Sequence, residues 1–412
     1  MKSLASYSSH LYNLPNGLRL VHRRVPATAA AIFGLAVGVG SADESSDDAG
    51  LAHFVEHTIF KGTAKRSAWH IINRMEAVGG ELNAYTTKEA TVLYSLFPRG
   101  NEARAVELLA DLSINSRFPD KELDKERQVV LDEIASYRDT PSEAVYDDFE
   151  DLLFAGTPLG HNILGTQRCV NAFDSRRCRE FLARYYTAPN MVAFYCGPAG
   201  ADRVLRLIET YFVSLPPVPV AGISYDVAPP AGAHERTRIR GLHQCHTVMG
   251  TVTCGIHGTD RFATTLLANI TGGPGMNALL NIELRERRGL VYTVETVTNL
   301  FRKAGELTVY FGCDPDDHNL CIDLIADTYR RIAEGNYDER RLAMAKNQFL
   351  GQQILALENR ENTILADARD TLFRGAPSDR DAAMRAYMAV TPEALAQAAK
   401  AMLNPLILSF VP

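Results

Sequence analysis

The sequence predicts two similar domains, each built from a sheet and helices in layers of the α/β or α+β class. Three observations support this. A proline-rich stretch at 215–232 divides the 412 residues into two parts of about equal length. Strand-like runs alternate with helices of ten or more residues in both parts, which is typical of layered domains. The two parts also repeat the same order of elements.

The proline-rich stretch predicts the domain boundary. Proline removes backbone donors and stiffens the chain, so the stretch suits a linker better than the interior of a sheet or helix. We therefore expect a first domain at 1–215, a linker at 216–234 and a second domain at 235–412. The alternative is one long surface loop within a single domain.

The repeat is visible in the order of elements. In the first part, a β-rich run at 92–97 precedes an amphipathic helix around 108–111 and a second helix from about 120 to 138. In the second part, a β-rich run at 307–311 precedes a helix around 324–327 and another from about 338. The same supersecondary pattern occurring twice indicates duplication of one domain.

Aligning Gln128 with Gln348 compares the chemistry of the two halves. Lys346 then falls opposite a glutamate at 126, and Gln353 falls opposite a glutamate at 133. Only the first half therefore keeps ionisable carboxylates at both positions.

Composition limits the class of protein. Hydrophobic residues make up 46% and charged residues 22%, as in an ordinary globular protein, and the net charge of -6 argues against nucleic acid as the main partner. No apolar window is long enough to cross a bilayer, and the first residues lack a signal-peptide core. Seven cysteines without a CxxC pair suit free thiols in a reducing compartment. We expect a cytoplasmic protein without membrane association.

The segment after position 47 predicts a metal site. Asp47 and Asp48 can cap a helix that begins near Ala49 and ends at Gly62. Within it, the motif HxxEH places the side chains of residues 53, 56 and 57 on one helix face. Two imidazoles one turn apart suit zinc, which needs a further protein ligand in a catalytic site. The alternative is a chance match, or histidines with ordinary hydrogen bonds.

A second helix offers the missing ligand. Glu126 and Glu133 lie seven residues apart, so both carboxylates project from one helix face. Taken alone, a glutamate on a charged helix is usually a solvated surface group.

The spacing of HxxEH and the later ERxVVxxE resembles the inverted-zincin metallopeptidases of the pitrilysin, insulin-degrading enzyme and mitochondrial processing peptidase family, most closely the processing-peptidase branch. The resemblance implies one Zn²⁺ per chain held by His53, His57 and Glu133. It makes Glu56 the general base, and it makes Glu126 a carboxylate that orients a metal ligand.

Two further segments carry the resemblance. Residues 79–86 are similar to a family strand with the pattern GGxxNAxT, which implies that peptides pair with the edge at Asn83 and Ala84. Arg285 and Tyr292 match a pair that holds the substrate carbonyl and stabilises developing charge. The alternatives are a local turn at Asn83 and a solvated helix end around Arg285.

Specificity follows from the same resemblance. Glu143 and Asp147, four residues apart, match acidic positions that receive a basic residue before the cut, and Phe60 matches an aromatic wall of the pocket after it. The alternative for the acidic pair is a plain solvated surface. Separately, Trp69, Ile71, Ile72 and Met75 predict a helix packed onto the sheet.

The family fold is two α+β domains, each a mixed, mostly antiparallel sheet covered by helices. The implied activity is zinc-dependent hydrolysis of peptides or unfolded segments. Family members assemble four such domains into a chamber, so we expect a homodimer, or a heterodimer with a metal-free homologous subunit. Two alternatives are a non-catalytic assembly subunit of the same fold and a zinc hydrolase acting on non-peptide amides.

Overall fold

A computed structural model describes residues 7–228 and 234–412 of the chain. The described parts form two units, and neither is continuous in sequence. Unit 1 contains the residues up to 135, then 162–223 and 355–381, whereas unit 2 contains 136–161, 224–354 and 382–412. Residues 229–233 of the predicted linker lie outside the described residues. None of the helices in the two described ranges combines the length and apolar character that crossing a membrane requires.

Each unit contains one sheet. The strands, in chain order, are β1 (His10–Asn13), β2 (Arg19–Arg24), β3 (Ala30–Val37), β4 (Glu81–Thr86), β5 (Thr91–Pro98), β6 (Met191–Gly197), β7 (Glu235–Ile239), β8 (Cys245–Cys254), β9 (Val291–Leu300), β10 (Ala304–Cys313) and β11 (Leu406–Val411).

Helices cover the faces of both sheets. In chain order they are α1 (Leu51–Thr58), α2 (Ala68–Glu76), α3 (Glu102–Asn115), α4 (Asp120–Arg138), α5 (Pro141–Leu153), α6 (Gln167–Ala172), α7 (Ser175–Tyr185), α8 (Ala201–Tyr211), α9 (Arg261–Gly272), α10 (His318–Ala333), α11 (Glu339–Ala356), α12 (Arg360–Arg374), α13 (Arg380–Met388) and α14 (Pro392–Lys400). A 3₁₀ turn at Ile59–Lys61 extends α1, and a π-helical segment at Asn281–Glu286 precedes β9.

The sheet of unit 1 has the strand order β1-β2-β6-β3-β5-β4. Its pairs are antiparallel except for the parallel pair of β2 and β6. The central strands β3 and β6 are almost entirely buried and nearly continuous in apolar residues, as expected for strands covered on both faces. This arrangement leaves β4 at the edge, paired on one side to β5.

The sheet of unit 2 has the order β7-β11-β8-β10-β9, antiparallel except for β7 and β11. Buried side chains of α9, α10, α11 and α14 form its main core with the strands. The order β3-β5-β4 in unit 1 and β8-β10-β9 in unit 2 is the same. This confirms the predicted α+β class with two similar domains.

The units differ from the predicted continuous domains in two segments. α12 lies in unit 1, where Ile364 and Ala368 pack with Val21 and Phe194 on one face of the sheet. α5 lies in unit 2, where it packs against β8 and β11 and the buried ring of Phe149 lies over Gly250. A sheet with two apolar faces must cover both, and here the second cover comes from a sequence-distant helix.

Candidate metal centre

Helix α1 begins after a left-handed turn. Gly50 has a φ of 93°, a conformation that glycine adopts without steric cost. This turn directs the backbone N–H groups of Gly50 and Ala52 at the carboxylate of Glu44, which accepts both at 2.8 and 2.6 Å. The predicted capping by Asp47 or Asp48 is therefore wrong, because the Asp48 side chain instead accepts a hydrogen bond from Arg177.

The amphipathic pattern of α1 orients its polar residues. Phe54 and Val55 are fully buried in the core of unit 1. His53, Glu56 and His57 occupy the other side of the helix, as the i, i+3 and i+4 spacing predicts. Packing of the apolar face thus fixes where the imidazoles point.

Helix α4 delivers the third side chain by the same principle. Val130 and Ile134 are buried in the core, and Glu133 lies beside the two histidines. Its Oε2 atom is 3.6 Å from Nε2 of His53 and 3.4 Å from Nε2 of His57. Among the described residues, these three form the one group of three potential ligands within metal-binding distance.

The geometry of this group fits zinc. Two ligand atoms that each lie about 2.0–2.1 Å from a tetrahedral zinc ion are roughly 3.3 Å from each other. The distances from Oε2 of Glu133 to the two imidazole nitrogens are close to this value. Two imidazoles and a carboxylate form a usual catalytic zinc set. Within the described part of the chain, the buried Oε2 of Glu133 has no hydrogen-bond partner. A cation bound between this oxygen and the two imidazoles would give the buried carboxylate the partner that it lacks.

A hydrogen-bonded relay holds the second histidine. Nδ1 of His57 lies 3.2 Å from Oε1 of Glu126, and Nζ of Lys61 lies 2.7 Å from the other oxygen of that carboxylate. Glu126 therefore favours the tautomer in which Nε2 is free to bind a metal. Lys61 was not among the predicted site residues, although its position four residues after His57 places both on one helical face.

The environment affects the two histidines in opposite directions. Burial, with the neighbouring charge of His57, lowers the pKa of His53 to about 3. Burial also opposes the charge of His57, but the hydrogen bond to Glu126 and the nearby carboxylates outweigh it and raise the pKa of His57. Burial likewise opposes the charge of Glu126, yet hydrogen bonds from His57 and Lys61 lower its pKa.

Glu56 has the surroundings of a general base. Burial raises the pKa of Glu56, while the charge of His57 and a hydrogen bond from Thr86 act in the other direction. The Thr86 hydroxyl donates to Oε2 of Glu56 at 3.0 Å, so β4 positions this carboxylate. No local pattern predicted this contact, because it joins residues from two separate elements.

A cavity of about 390 Å³ opens beside Glu56 and His57. Its walls are formed by side chains of α1 and its 3₁₀ extension, α2, β4 and α4, namely Glu56, His57, Phe60, Lys61, Ile72, Glu76, Leu82, Ala84 and Glu126. The structure thus brings the predicted substrate residues Phe60 and Ala84 next to the metal group. Asn83 also lies on β4, but alternation along a strand points its side chain to the opposite face.

The prediction for α2 was partly wrong. Ile71 and Met75, four residues apart, are fully buried against the core, whereas Trp69 is 65% exposed and Ile72 is 44% exposed. A helix buries one stripe, and Trp69 and Ile72 fall outside that stripe. Ile72 instead contributes to the cavity wall.

The remaining predicted residues lie in unit 2. Arg285 is exposed in the π-helical segment, and Tyr292 is exposed on β9. Glu143 and Asp147 lie on α5. Their proposed roles in substrate binding stay predictions.

Comparison with known proteins gives a consistent result. Residues 19–167 match the model of insulinase (peptidase family M16), and residues 173–349 match that of the peptidase M16 inactive domain. An uncharacterized zinc protease of Mycobacterium tuberculosis (strain ATCC 25618 / H37Rv) is 34% identical over 95% of this chain and 90% of its own length. Another from Bacillus subtilis (strain 168) is 28% identical over 93% of this chain and 92% of its own.

Two solved structures share the fold. A protease from Helicobacter pylori has a TM-score of 0.90 at 20% identity, covering 98% of this chain and 99% of that one. A peptidase M16 inactive domain from Pseudomonas fluorescens has a TM-score of 0.89 at 18% identity, covering 98% of each chain.

Proposed function

The chain belongs to the insulinase family of peptidases, family M16, and we propose that it is a zinc metalloendopeptidase acting on peptides or unfolded, flexible polypeptide segments. The observation that carries this proposal is the convergence of His53, His57 and Glu133 at 3.4–3.6 Å, with Glu56 beside them. Three metal-binding side chains alone would also suit a structural metal site. The additional half-buried carboxylate of Glu56 and the open cavity beside it support catalysis.

The chemistry divides between metal and protein. His53, His57 and Glu133 would hold a zinc ion, which would supply Lewis acidity and lower the pKa of the attacking water. Glu56 accepts the proton of the attacking water at its carboxylate and later delivers it to the departing amine. Burial raises the pKa of Glu56 and favours this double role. Glu126 and Lys61 keep His57 oriented.

Substrate binding uses the edge of the sheet. A peptide that adds to β4 gains main-chain hydrogen bonds with little demand on its sequence. Alternation along β4 points Ala84 and Thr86 to the Glu56 side, so one side chain of the peptide enters the cavity beside Phe60. Asn83 would pair with the peptide through its main-chain groups, and Arg285 and Tyr292 of a second copy of the chain would hold the substrate carbonyl.

Two finer proposals concern specificity and assembly. Glu143 and Asp147 would attract a basic residue before the cut. The chain carries both the metal-binding residues and the Arg285/Tyr292 pair, which supports a homodimer over pairing with a metal-free subunit. Multi-angle light scattering over a concentration series tests this, and a monomeric chain with full activity would exclude it.

The activity is tested with purified chain, a metal analysis and quenched fluorescent peptides. We expect one zinc per chain and hydrolysis that a chelator stops. Glu56→Gln should keep the zinc and lose about 10²–10⁴-fold in rate. Glu122→Gln, the same charge change at a half-buried position in the first turn of α4, should leave both the zinc content and the rate unchanged. Zinc binding without hydrolysis of any peptide would favour an assembly subunit, and cleavage of small amides alone would favour the non-peptide alternative.

A further inference from the structure

Unit 2 contains a second cleft that the proposed chemistry does not use. It has a volume of about 520 Å³ and lies between α9, the π-helical segment with its preceding loop, α10 and the first half of α11. A cavity of this size is in the range of ligand-binding sites.

The cleft corresponds in part to the metal cleft. In unit 1, α1 follows β3 and α4 follows α3; in unit 2, α9 follows β8 and α11 follows α10. Aligning Gln128 with Gln348 matches α4 to α11, and Gln348 lines this cleft. Both openings are therefore lined by the helix after the central strand and by the matched helices α4 and α11. The remaining walls differ, because β4 lines the metal cleft whereas α10 lines the cleft of unit 2.

The rim of the cleft carries an excess of guanidinium groups. Arg287, Arg331 and Arg341 line it, against the single carboxylate of Glu283. Glu283 is shared, because it accepts hydrogen bonds from both Arg287 and Arg288.

A second carboxylate is shared in the same way. Asp327 pairs with Arg330 at 3.1 Å and with Arg331 at 2.7 Å. Arg341 lies 4.0 Å from its neighbour Asp338, the outer limit of an ion pair. Of the three arginines that line the cleft, Arg287 and Arg331 therefore each share a carboxylate with a neighbouring arginine, and Arg341 has only a distant one. Further carboxylates would find unused donors in fork geometry.

The remaining walls suit a peptide. Ile270, Leu279, Ile282 and Ile332 form an apolar lining. Asn277 and Gln348 bond each other through both amide groups, at 2.8 and 3.0 Å, and could exchange this pairing for peptide backbone groups. A free phosphate would use the arginines but leave the apolar wall uncovered.

We propose that this cleft binds a segment of polypeptide with alternating acidic and apolar side chains. The inference rests on the proposed function, because it names acidic peptides as a class of substrate held by the half without the metal group. Carboxylates pair with Arg331 and Arg341, and apolar side chains cover the wall.

The test measures binding without turnover. In the full-length Glu56→Gln chain, fluorescence anisotropy follows a labelled 12-residue peptide of alternating Glu and Leu, and a matched peptide with Gln for Glu. The double variant R331Q/R341Q should weaken binding of the acidic peptide roughly tenfold, the loss expected for two exposed charge pairs. The matched double variant R330Q/R340Q changes the same charge on the same helices outside the cleft lining and should bind as before.

Three outcomes would overturn the inference. The first is equal affinity of the acidic peptide for the Glu56→Gln chain and for both double variants, and the second is an equal loss of affinity in the two double variants. The third is displacement of the peptide by tripolyphosphate with the same arginine dependence, which would indicate a small-anion site. Cleavage of a neutral peptide by the parental chain tests the proposed function separately. Arginine-dependent binding without cleavage of the neutral peptide would support peptide binding at the cleft and contradict the proposed peptidase activity. Cleavage without arginine-dependent binding would support the peptidase activity and contradict peptide binding at the cleft.

Discussion

The metal cleft of unit 1 and the arginine-lined cleft of unit 2 both lie beside the helix that follows the central strand and beside the matched helices α4 and α11, yet their chemistry differs. The helix after the central strand carries two histidines in α1 and none in α9. Glu133 on α4 corresponds to Gln353 on α11, and Glu126 corresponds to Lys346. The two units thus share a scaffold, and a few side-chain differences leave only unit 1 with a set of zinc ligands.

The electrostatic consequences can be followed at one position. Glu126 accepts from His57 and Lys61 and so supports a metal ligand. Lys346 instead donates to the carbonyl of Met388 at 2.8 Å and brings a positive charge to its helix. A cation near that position would be repelled rather than held.

The strongest test converts the metal cleft towards its counterpart. Glu133→Gln places in α4 the residue that α11 has at the matching position. A neutral amide is a poor zinc ligand, so we expect bound zinc to fall below about a tenth of the parental amount and peptide hydrolysis to fall by roughly 10³-fold or more. Metal analysis and a fluorescent peptide assay measure both effects.

The reverse exchange is the matched control. Gln353→Glu restores a carboxylate in unit 2, but α9 offers no histidine, so the chain should still bind one zinc. A second bound zinc, or full zinc retention in Glu133→Gln, would contradict this account of the difference between the clefts.

A smaller effect is expected from replacing Glu126, the carboxylate that hydrogen-bonds the zinc ligand His57. Glu126→Gln removes the charged partner of His57 but leaves all three ligands, so zinc affinity should fall about 10–100-fold. Competition with a fluorescent chelator measures the affinity. Lys346→Gln, at the matching position of unit 2, should leave it unchanged. Equal zinc affinity in Glu126→Gln and the parental chain would mean that the 3.2 Å contact does not orient His57.

Much of the site was predictable, because its signals are local or regular. The spacing within HxxEH specifies one helix face, and α4 was predicted at 120–138, as observed. The alternation of strands and helices predicted layered domains of the α/β or α+β class, and the family resemblance selected α+β. The approach of Glu133 to His53 and His57 was predicted only through the family resemblance, since 76 residues separate it from the second histidine.

The features missed by sequence analysis depend on tertiary contacts. The cap of α1 by Glu44 joins a carboxylate to N–H groups six and eight residues later, across the left-handed turn at Gly50, and no standard capping motif has this spacing. The discontinuous units arise because α5 and α12 cover sheet faces that are distant in sequence. The arginine-lined cleft draws on four separate segments, and their charges appear in the sequence only as ordinary helical ion pairs.

The smallest predicted effect concerns protons that compete with zinc. Binding requires a free electron pair on Nε2 of both histidines, so a protonated histidine must first lose its proton. The pKa of His53 is about 3, and this residue is therefore neutral throughout pH 5–8. The pKa of His57 is raised, so His57 gains a proton as the pH falls through that value.

One competing proton should weaken zinc binding about tenfold per pH unit below the pKa of His57, with little dependence above it. Chelator competition from pH 5 to 8 measures this slope. Because the hydrogen bond to Glu126 raises the pKa of His57, Glu126→Gln should move the onset of the slope to lower pH. A slope of two in the parental chain would mean that His53 also takes up a proton in this range, and that its burial does not keep it neutral.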